Sequence, residues 1–242
     1  MFSLTNIIKD KALEFGFCKV GIAPIEKLDE EAKHLQEWLS RGYQGSMHWI
    51  ERSLDKRIDP KLIMPEAKSM LCVAMNYYTD VQHSAEKDIG KISRYAWGDD
   101  YHEILQERLE KLLDFIKQQE PSAQGKVYVD TGPVMEKVWA QRAGIGWEGK
   151  HTNVISQEYG SWIFLGEIIL NLELEFDSPA IDHCGDCTLC IEACPTDAIA
   201  EPYVVDSNKC ISYLTIEHRD AIALELGKEF EQWVYGCDIC QD

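Results

Sequence analysis

The sequence lacks any apolar run that approaches the roughly 20 residues of a membrane-spanning helix, and it has no internal repeat or low-complexity tract. Its 242 residues, 45% of them hydrophobic, are enough to bury a sizeable core. We therefore expect a globular protein without a membrane partner.

Basic residues are scarce relative to acidic ones: Lys and Arg number 24, Asp and Glu number 42, and the formal net charge is -18. Charge of this sign repels a phosphate backbone at long range. The balance therefore argues against a module that only binds tRNA, unless a basic patch lies in a C-terminal segment beyond this sequence.

Cysteine is scarce before residue 184, where only Cys18 and Cys72 occur, and seven cysteines follow. The N-terminal residues lead directly into an amphipathic helix without a secretory signal, so we expect a cytoplasmic protein with reduced thiols. The uneven distribution predicts a larger catalytic or binding domain over residues 1–175 and a cluster-bearing module over residues 176–242.

Residues 184–195, CGDCTLCIEACP, have the spacing C-x2-C-x2-C-x3-C-P of bacterial-type ferredoxins. In such proteins the first three thiolates hold one iron-sulfur cluster and the fourth holds a second, so further cysteines should follow. Three cysteines do follow. Close pairs of cysteines also bind zinc, but zinc sites seldom have the spacing C-x2-C-x2-C-x3-C-P. The candidate metal ligands are Cys184, Cys187, Cys190, Cys194, Cys210, Cys237 and Cys240.

The second cysteine set is one residue short of the reciprocal pattern. Cys194 and the three later cysteines make four ligands, whereas the first three cysteines lack a partner. The pattern places another cysteine a few residues after Cys240, and the sequence stops at Asp242. We therefore expect a C-terminally truncated chain, in which the cluster on Cys184, Cys187 and Cys190 lacks its fourth thiolate.

Hydrophobic periodicity predicts alternating helices and strands in the first domain. Thr5 should cap the first helix, and Pro133 should occupy the first turn of another. We expect helices near 5–15, 29–41, 47–52, 101–119 and 134–143, and strands near 18–23, 70–78, 126–130, 154–156 and 161–170. A turn over residues 158–160 should join the last two strands as a pair. Two further helices, 207–216 and 220–235, should hold the second cysteine set.

Three polar residues each have both a functional and a purely structural interpretation. Arg57 lies in a group of positive charges, His102 in the first turn of a predicted helix, and Asp130 at the end of a predicted strand. A solvated basic face is the favoured interpretation of Arg57 and a surface histidine that of His102, whereas a helix cap and a positioned acid explain Asp130 about equally well. Asp130 also has the position of an acid catalyst.

Several stretches together resemble the epoxyqueuosine reductase family, in the same order and spacing over essentially the whole chain. They are residues 55–60 (DKRIDP), 94–102 (RYAWGDDYH), 130–134 (DTGPV), 141–147 (QRAGIGW), 184–195, 210–217 (CISYLTIE) and 236–241 (GCDICQ). The resemblance implies an α+β fold, with a nitroreductase-like corrinoid-binding α/β domain followed by a ferredoxin-like two-cluster module.

The resemblance also implies an activity. Family members are monomeric cytoplasmic enzymes that use cobalamin and two 4Fe-4S clusters. An external electron donor reduces the clusters. They reduce the epoxide of epoxyqueuosine to queuosine at the wobble position of tRNA. Our hypothesis is that cobalt in its reduced state attacks an epoxide carbon while Asp130 protonates the opening oxygen.

Residue roles carried over from the family follow the matching positions. Lys137 is a departure, because family members often have Arg there, and Lys keeps the charge without the bidentate fork. Tyr101, His102 and Lys137 would lie on the substrate side. The implied corrinoid contacts are Arg57, Ser93, Asp130, Ser212 and, through its backbone, Val154.

Two other functions remain open at this point. A reductive dehalogenase shares the corrinoid and the two clusters, but such enzymes usually carry a twin-arginine export signal, and a Tyr donor would replace Asp130. A ferredoxin-type electron carrier fused to a structural α/β domain would bind no corrinoid at all.

Overall fold

The computed structural model describes residues 3–242. In this part of the chain the helices are α1 Leu4–Glu14, α2 Asp29–Ser40, α3 Leu54–Ile58, α4 Tyr101–Gln119, α5 Glu136–Arg142, α6 Leu189–Ala193, α7 Ile211–Ile216 and α8 Leu224–Gly227. The strands are β1 Lys19–Pro24, β2 Ser69–Asn76, β3 Lys91–Ile92, β4 Gly125–Tyr128, β5 Trp147–Glu148, β6 Val154–Ile155, β7 Ile163–Leu170, β8 Ile199–Glu201, β9 Val204–Val205 and β10 Trp233–Tyr235.

A four-stranded antiparallel sheet with the order β1-β2-β7-β4 organises the first 170 residues. Its central strands β2 and β7 are apolar along most of their length, because helices cover the sheet on both faces. Helices α1 and α4 pack on one face through residues such as Ile8 and Leu109, and α5 packs on the other through Trp139. No helix within residues 3–242 has both the length and the apolarity needed to cross a membrane.

Helix α1 confirms the predicted element but corrects its cap. The hydroxyl of Ser3 accepts the amide of Asn6 at 3.3 Å, so Ser3 is the N-cap. Thr5 is buried instead, and its hydroxyl accepts the amide of Glu175 at 2.9 Å. Gly16 ends the helix with φ 89°, as predicted.

The predicted starts of two helices and the predicted pairing of two strands are also wrong. Helix α5 begins at Glu136, so Pro133 precedes it by three residues and does not lie in its first turn. Residues 47–52 form turns and the beginning of a 3-10 helix, Glu51–Ser53, because the helix proper starts only at Leu54. Strands β6 and β7 exist as predicted but belong to different sheets, since β6 pairs with β5.

The predicted helix over residues 220–235 is wrong. Only the single turn of α8 is helical, and residues 233–235 form β10, which pairs in parallel with β3. Glu231 and Gln232 have φ values of 47° and 73°, which a right-handed helix cannot contain. Pairing with β3 and burial of Trp233 therefore outweigh the helical periodicity of this segment.

Strand β10 joins the last quarter of the chain to the first part. Within residues 176–242, α6 and α7 each lie next to a cysteine, and β8 and β9 form a hairpin. The division into domains at residue 175 stays a prediction, because strand pairing and hydrogen bonds cross it at several places.

Candidate active site

Asp130 lies in the loop between β4 and α5. Its φ is 55°, a left-handed conformation that Asp tolerates better than most residues. The carboxylate of Glu136 accepts the amide of Asp130 at 2.5 Å, and the amide of Thr131 donates to the carbonyl of Val129. These contacts hold the loop while 62% of the Asp130 side chain remains exposed.

Two aromatic side chains from the first turn of α4 meet the Asp130 carboxylate. The Tyr101 hydroxyl donates to Oδ2 at 3.1 Å, and Nε2 of His102 lies 3.3 Å from the same oxygen. Nδ1 of His102 is 2.8 Å from Oδ1 of Asp100, which also caps α4. Tyr101 in turn stacks on Phe164 at 4.1 Å.

The environment sets the protonation of both partners. Burial and the neighbouring charge of Asp130 raise the pKa of Tyr101, so its phenol stays neutral and donates. Partial burial opposes charge on His102, but the carboxylates of Asp100 and Asp130 outweigh it and raise its pKa. The Asp130 carboxylate is therefore oriented through one oxygen, which leaves Oδ1 available to another partner.

Arg57 approaches this loop from the end of α3. Its Nη1 donates to the carbonyl of Val134 at 3.4 Å, while its Nε is buried without a hydrogen-bond partner. Burial lowers the pKa of Arg57, and the charges of Glu136 and Asp130 oppose that change. An unpartnered buried donor beside an exposed aspartate is a place where a polar ligand would complete the hydrogen bonding.

Lys137 lies on α5, between Asp130 and the second cysteine set. Its ammonium donates to Oδ1 of Asn153 at 2.8 Å. Protein packed around the ammonium lowers the pKa of Lys137, and the charges of Glu148, Cys240 and Asp130 oppose this. Lys137 therefore lies near both acids and a thiol.

The cysteines of the second set lie together near Lys137. Burial and the charges of neighbouring thiolates raise the pKa of Cys240 and raise that of Cys237 to about 12. The neighbours of Cys237 include Cys210 and Cys194, and those of Cys240 also include Cys190. Grouped thiolates repel one another, and a cationic metal centre would relieve that repulsion.

The first cysteine set lies close to the second. The charges of Cys184 and Cys187 act on Cys190, and the buried ammonium of Lys150 donates to the carbonyls of Gly185 at 2.7 Å and Cys187 at 2.9 Å. All nine thiols are free. No group of three or more His, Cys, Asp or Glu within residues 3–242 is arranged to hold a single metal ion. A cluster of four irons spaces its thiolates more widely than one ion.

Ser93, a predicted corrinoid contact, is buried and donates its hydroxyl to Asp238. Asp238 is fully buried between Cys237 and Cys240, and it also accepts the amide of Arg94 at 3.0 Å and its guanidinium at 3.3 Å. These hydrogen bonds connect the second cysteine set to the segment before α4. The sequence analysis missed Arg94 and Asp238 as partners, and no local pattern pairs them.

The other two predicted corrinoid contacts lie on separate elements. Val154 is buried in β6 opposite Glu148, close to Lys137. Ser212 is half-buried in α7, two residues after Cys210, and its carbonyl accepts the hydroxyl of Thr215 at 3.4 Å. Among the predicted residues, the structure therefore groups Tyr101, His102 and Asp130 by direct contact.

A pair of acids behind the loop was also missed. Glu167 in β7 is fully buried, and neither of its carboxyl oxygens has a hydrogen-bond donor. Burial and the nearby charges of Glu136 and Asp130 raise its pKa, and burial with the charge of Asp130 raises that of Glu136. A Glu within the apolar run 162–170 was the available sequence signal.

Comparison with known proteins identifies the family. The model "Epoxyqueuosine reductase QueG, DUF1730" matches residues 57–131, and "4Fe-4S double cluster binding domain" matches residues 183–242. An epoxyqueuosine reductase from Synechocystis sp. is 51% identical over 226 residues, which cover 92% of this chain and 78% of the relative. The chain belongs to the epoxyqueuosine reductase family.

Solved epoxyqueuosine reductases share the fold of the whole chain. One complex with an epoxyqueuosine-modified tRNA-Tyr stem loop has a TM-score of 0.91 at 35% identity and covers 98% of this chain. The Bacillus subtilis enzyme, captured with its aspartate catalytic loop swung out of the active site, has a TM-score of 0.91 at 33% identity and covers 98% as well. The predicted α+β fold class is confirmed.

The chain spans only 63 to 64% of the length of those solved epoxyqueuosine reductase chains. A catabolic reductive dehalogenase solved with 3-bromo-4-hydroxybenzoic acid is 14% identical, with a TM-score of 0.52 over 79% of this chain. That likeness shows a related fold. The dehalogenase alternative therefore gains no support for its activity.

Proposed function

We propose that this chain reduces the epoxide of epoxyqueuosine in tRNA to the alkene of queuosine. The observation that carries the proposal is the exposed carboxylate of Asp130, which Tyr101 and His102 orient and which lies near Lys137, a neighbour of Cys240. Family membership supports the reaction, and the relative solved with a modified tRNA stem loop supports the substrate class.

The residues present fit a corrinoid and two iron-sulfur clusters. The unpartnered Nε of Arg57 and the ammonium of Lys137 lie near Asp130 and can donate hydrogen bonds to a large polar ligand. Together with Ser93, Val154 and Ser212, Arg57 and Asp130 would hold the corrinoid. When bound in its reduced state, cobalamin supplies a strong nucleophile to an epoxide carbon.

Asp130 would take up a proton from solvent before each turnover, since most of its side chain is exposed, and would donate that proton to the epoxide oxygen as the ring opens. Conversion of an epoxide to an alkene and water consumes two electrons and two protons, and the second proton accompanies the loss of water. Tyr101 and His102 contact Oδ2 of Asp130, so Oδ1 would carry the proton toward the substrate. Positioned acid catalysis of this kind contributes about 10²–10⁴-fold to the rate.

Cysteine thiolates would hold the clusters that supply electrons to the reaction. We assign Cys194, Cys210, Cys237 and Cys240 to one 4Fe-4S cluster, and their closeness, which lets the charges of these thiols act on one another, supports the assignment. Cys184, Cys187 and Cys190 would give three ligands to the other. An external donor would supply the electrons.

The domain roles follow from this assignment. Residues 1–175 form the cobalamin-binding catalytic domain, and residues 176–242 form the ferredoxin-like module. We also propose that the protein acts in the cytoplasm as a monomer, where its thiols stay reduced. Because the formal charge is -18, tRNA must dock on local groups such as Lys137 and not on the average surface.

Anaerobic reconstitution tests the proposal. The chain is incubated with cobalamin, iron and sulfide, its ultraviolet-visible spectrum is recorded, and epoxyqueuosine-containing tRNA is assayed with a chemical reductant. Bound corrinoid with loss of the epoxide oxygen is the expected result. Clusters without any corrinoid would leave only an electron carrier and refute the proposal.

A further inference from the structure

The buried acid pair behind the Asp130 loop has no role in the chemistry described so far. Glu167 lies in the middle of β7, directly opposite Cys72 of β2 and Tyr128 of β4. Its side chain is 0% exposed, and both carboxyl oxygens lack a donor. A carboxylate in the centre of a sheet without any donor is a costly arrangement, which calls for a specific explanation.

Glu136, the first residue of α5, is the acid within hydrogen-bond reach of Glu167. Its Oε1 accepts the amide of Asp130 at 2.5 Å, so it connects the buried acid to the proposed proton donor. The other titratable groups facing the pair are Arg57 of α3, Cys72 of β2, Tyr101 of α4, Tyr128 of β4, and Lys137. None of these donates a hydrogen bond to Glu167.

Two ionised carboxylates in contact inside a protein repel strongly, and each can only accept hydrogen bonds. A single proton between them removes the repulsion and satisfies both groups at once. Glu167 is the more buried of the two, so it retains the proton and donates it to Glu136. Glu136 then keeps its negative charge on the side of the Asp130 amide.

We propose that Glu136 and Glu167 share one proton and act as a buried latch that holds Asp130 in its left-handed conformation. The Glu167 hydroxyl donates to Glu136, and the Asp130 amide donates to Glu136 from the other side. Both glutamates are positioning residues for Asp130. The latch itself depends only on the geometry of the pair, whereas its importance for catalysis rests on the proposed function.

Matched substitutions separate the shared proton from mere packing. Glu167→Gln keeps a donor toward Glu136, whereas Glu167→Met has a similar length and no donor. Glu136→Gln keeps an acceptor for the Asp130 amide, whereas Glu136→Met removes it. Glu148→Gln is the control, because Glu148 is another largely buried acid that lies outside the latch.

Amide hydrogen exchange of the full chain measures the latch directly. Glu167→Gln, Glu136→Gln and Glu148→Gln should keep Asp130 protected, whereas both Met variants should exchange it about tenfold faster or more, since they lose a hydrogen bond to a charged group. Asp130 protected equally in the wild type and in both Met variants would overturn the proposal.

Infrared spectroscopy reports the proton itself. The wild type at neutral pH should show the C=O stretch of a protonated buried carboxyl group, and Glu167→Gln should lose it while Glu148→Gln keeps it. Absence of the band from the wild type would overturn the proposal. Neither measurement uses cobalamin or tRNA, so an inactive enzyme with an intact latch would contradict the proposed function and leave the latch standing.

Discussion

At the scale of single residues, the functional property of Asp130 is its combination of a constrained backbone and an exposed carboxylate. Glu136 holds the amide, Tyr101 and His102 hold Oδ2, and most of the side chain still contacts solvent. A catalytic acid needs this combination, because it must be oriented and yet reach the substrate.

Replacement of Asp130 by Asn should remove the proton donor and preserve its shape. We expect Asp130→Asn to lose about 10²–10⁴-fold in turnover of epoxyqueuosine while corrinoid and cluster spectra stay unchanged. Turnover and spectra are measured on the same reconstituted sample, with Asp99→Asn as a control on a nearby exposed acid. Full activity of Asp130→Asn would show that another group protonates the substrate.

Above about pH 7 the Glu136–Glu167 pair holds its single shared proton, and the second proton, which Glu136 takes up at lower pH, makes stability depend on pH. Burial and the charge of Asp130 raise the pKa of Glu136 to about 7 from an ordinary 4.5. Because the pKa of Glu136 is higher in the folded state than in the unfolded state, protonation of Glu136 favours the folded state. This contribution to the free energy of unfolding is complete below pH 4.5 and is lost as the pH rises through 7. Between pH 5 and 8 the wild type should therefore lose about 1–3 kcal/mol of unfolding free energy relative to Glu136→Gln. Chemical denaturation at several pH values checks this, and parallel curves for the two proteins would contradict it.

At the scale of elements, the segment before α4 and the strand β10 hold the second cysteine set in place. Asp238 lies fully buried between two cysteines and pairs with Arg94, which is itself 5% exposed and packs against the ring of Trp162 at 5.1 Å. Strand β10, just before this cysteine pair, adds to β3. The position of the thiols therefore depends on elements far away in sequence.

Loss of the ion pair between Arg94 and Asp238 should displace the thiols of the second cysteine set, although no cysteine is substituted. We expect Arg94→Met to cost about 3–5 kcal/mol, because it leaves the buried charge of Asp238 uncompensated. Iron bound after reconstitution and the thermal midpoint should both fall, whereas Lys87→Met, at an exposed position, should change neither. Unchanged iron content in Arg94→Met would show that the pair does not position the cysteine set.

At the scale of the whole molecule, the negative charge of the chain opposes binding of the proposed tRNA substrate. A charge of -18 repels tRNA at long range, while local cations such as Lys137 and Arg57 lie near Asp130. Binding therefore depends on short-range contacts that form only after the long-range barrier is crossed.

Salt should speed the encounter between this chain and RNA. Screening shortens the reach of repulsion to about 10 Å at 0.1 M salt, so the association rate with an anticodon stem loop should rise by roughly 2–10-fold between about 20 and 150 mM salt. Stopped-flow fluorescence measures the rate, and a stem loop with an uncharged backbone is the control. A rate that falls with salt would show that a basic patch within this chain steers the RNA.

Much of this protein was predictable from local sequence. The cysteine spacing, the apolar runs of β2 and β7, the periodicity of α4 and the aspartate at the end of β4 are local signals, since each depends on neighbours within one element. They sufficed to predict most of the helices and strands and Asp130 as a candidate acid, whereas the family and the α+β fold class were predicted from the resemblance of seven longer motifs.

Only the tertiary structure decided which distant groups meet. Nothing local shows that Glu167 faces Glu136, that Arg94 pairs with Asp238, or that residues 233–235 leave a helical pattern to pair with β3. These contacts arise from burial, where a charged or polar group must find a partner wherever the fold supplies one. Sequence by itself determined the elements and the chemistry they carry, and packing determined how that chemistry is held.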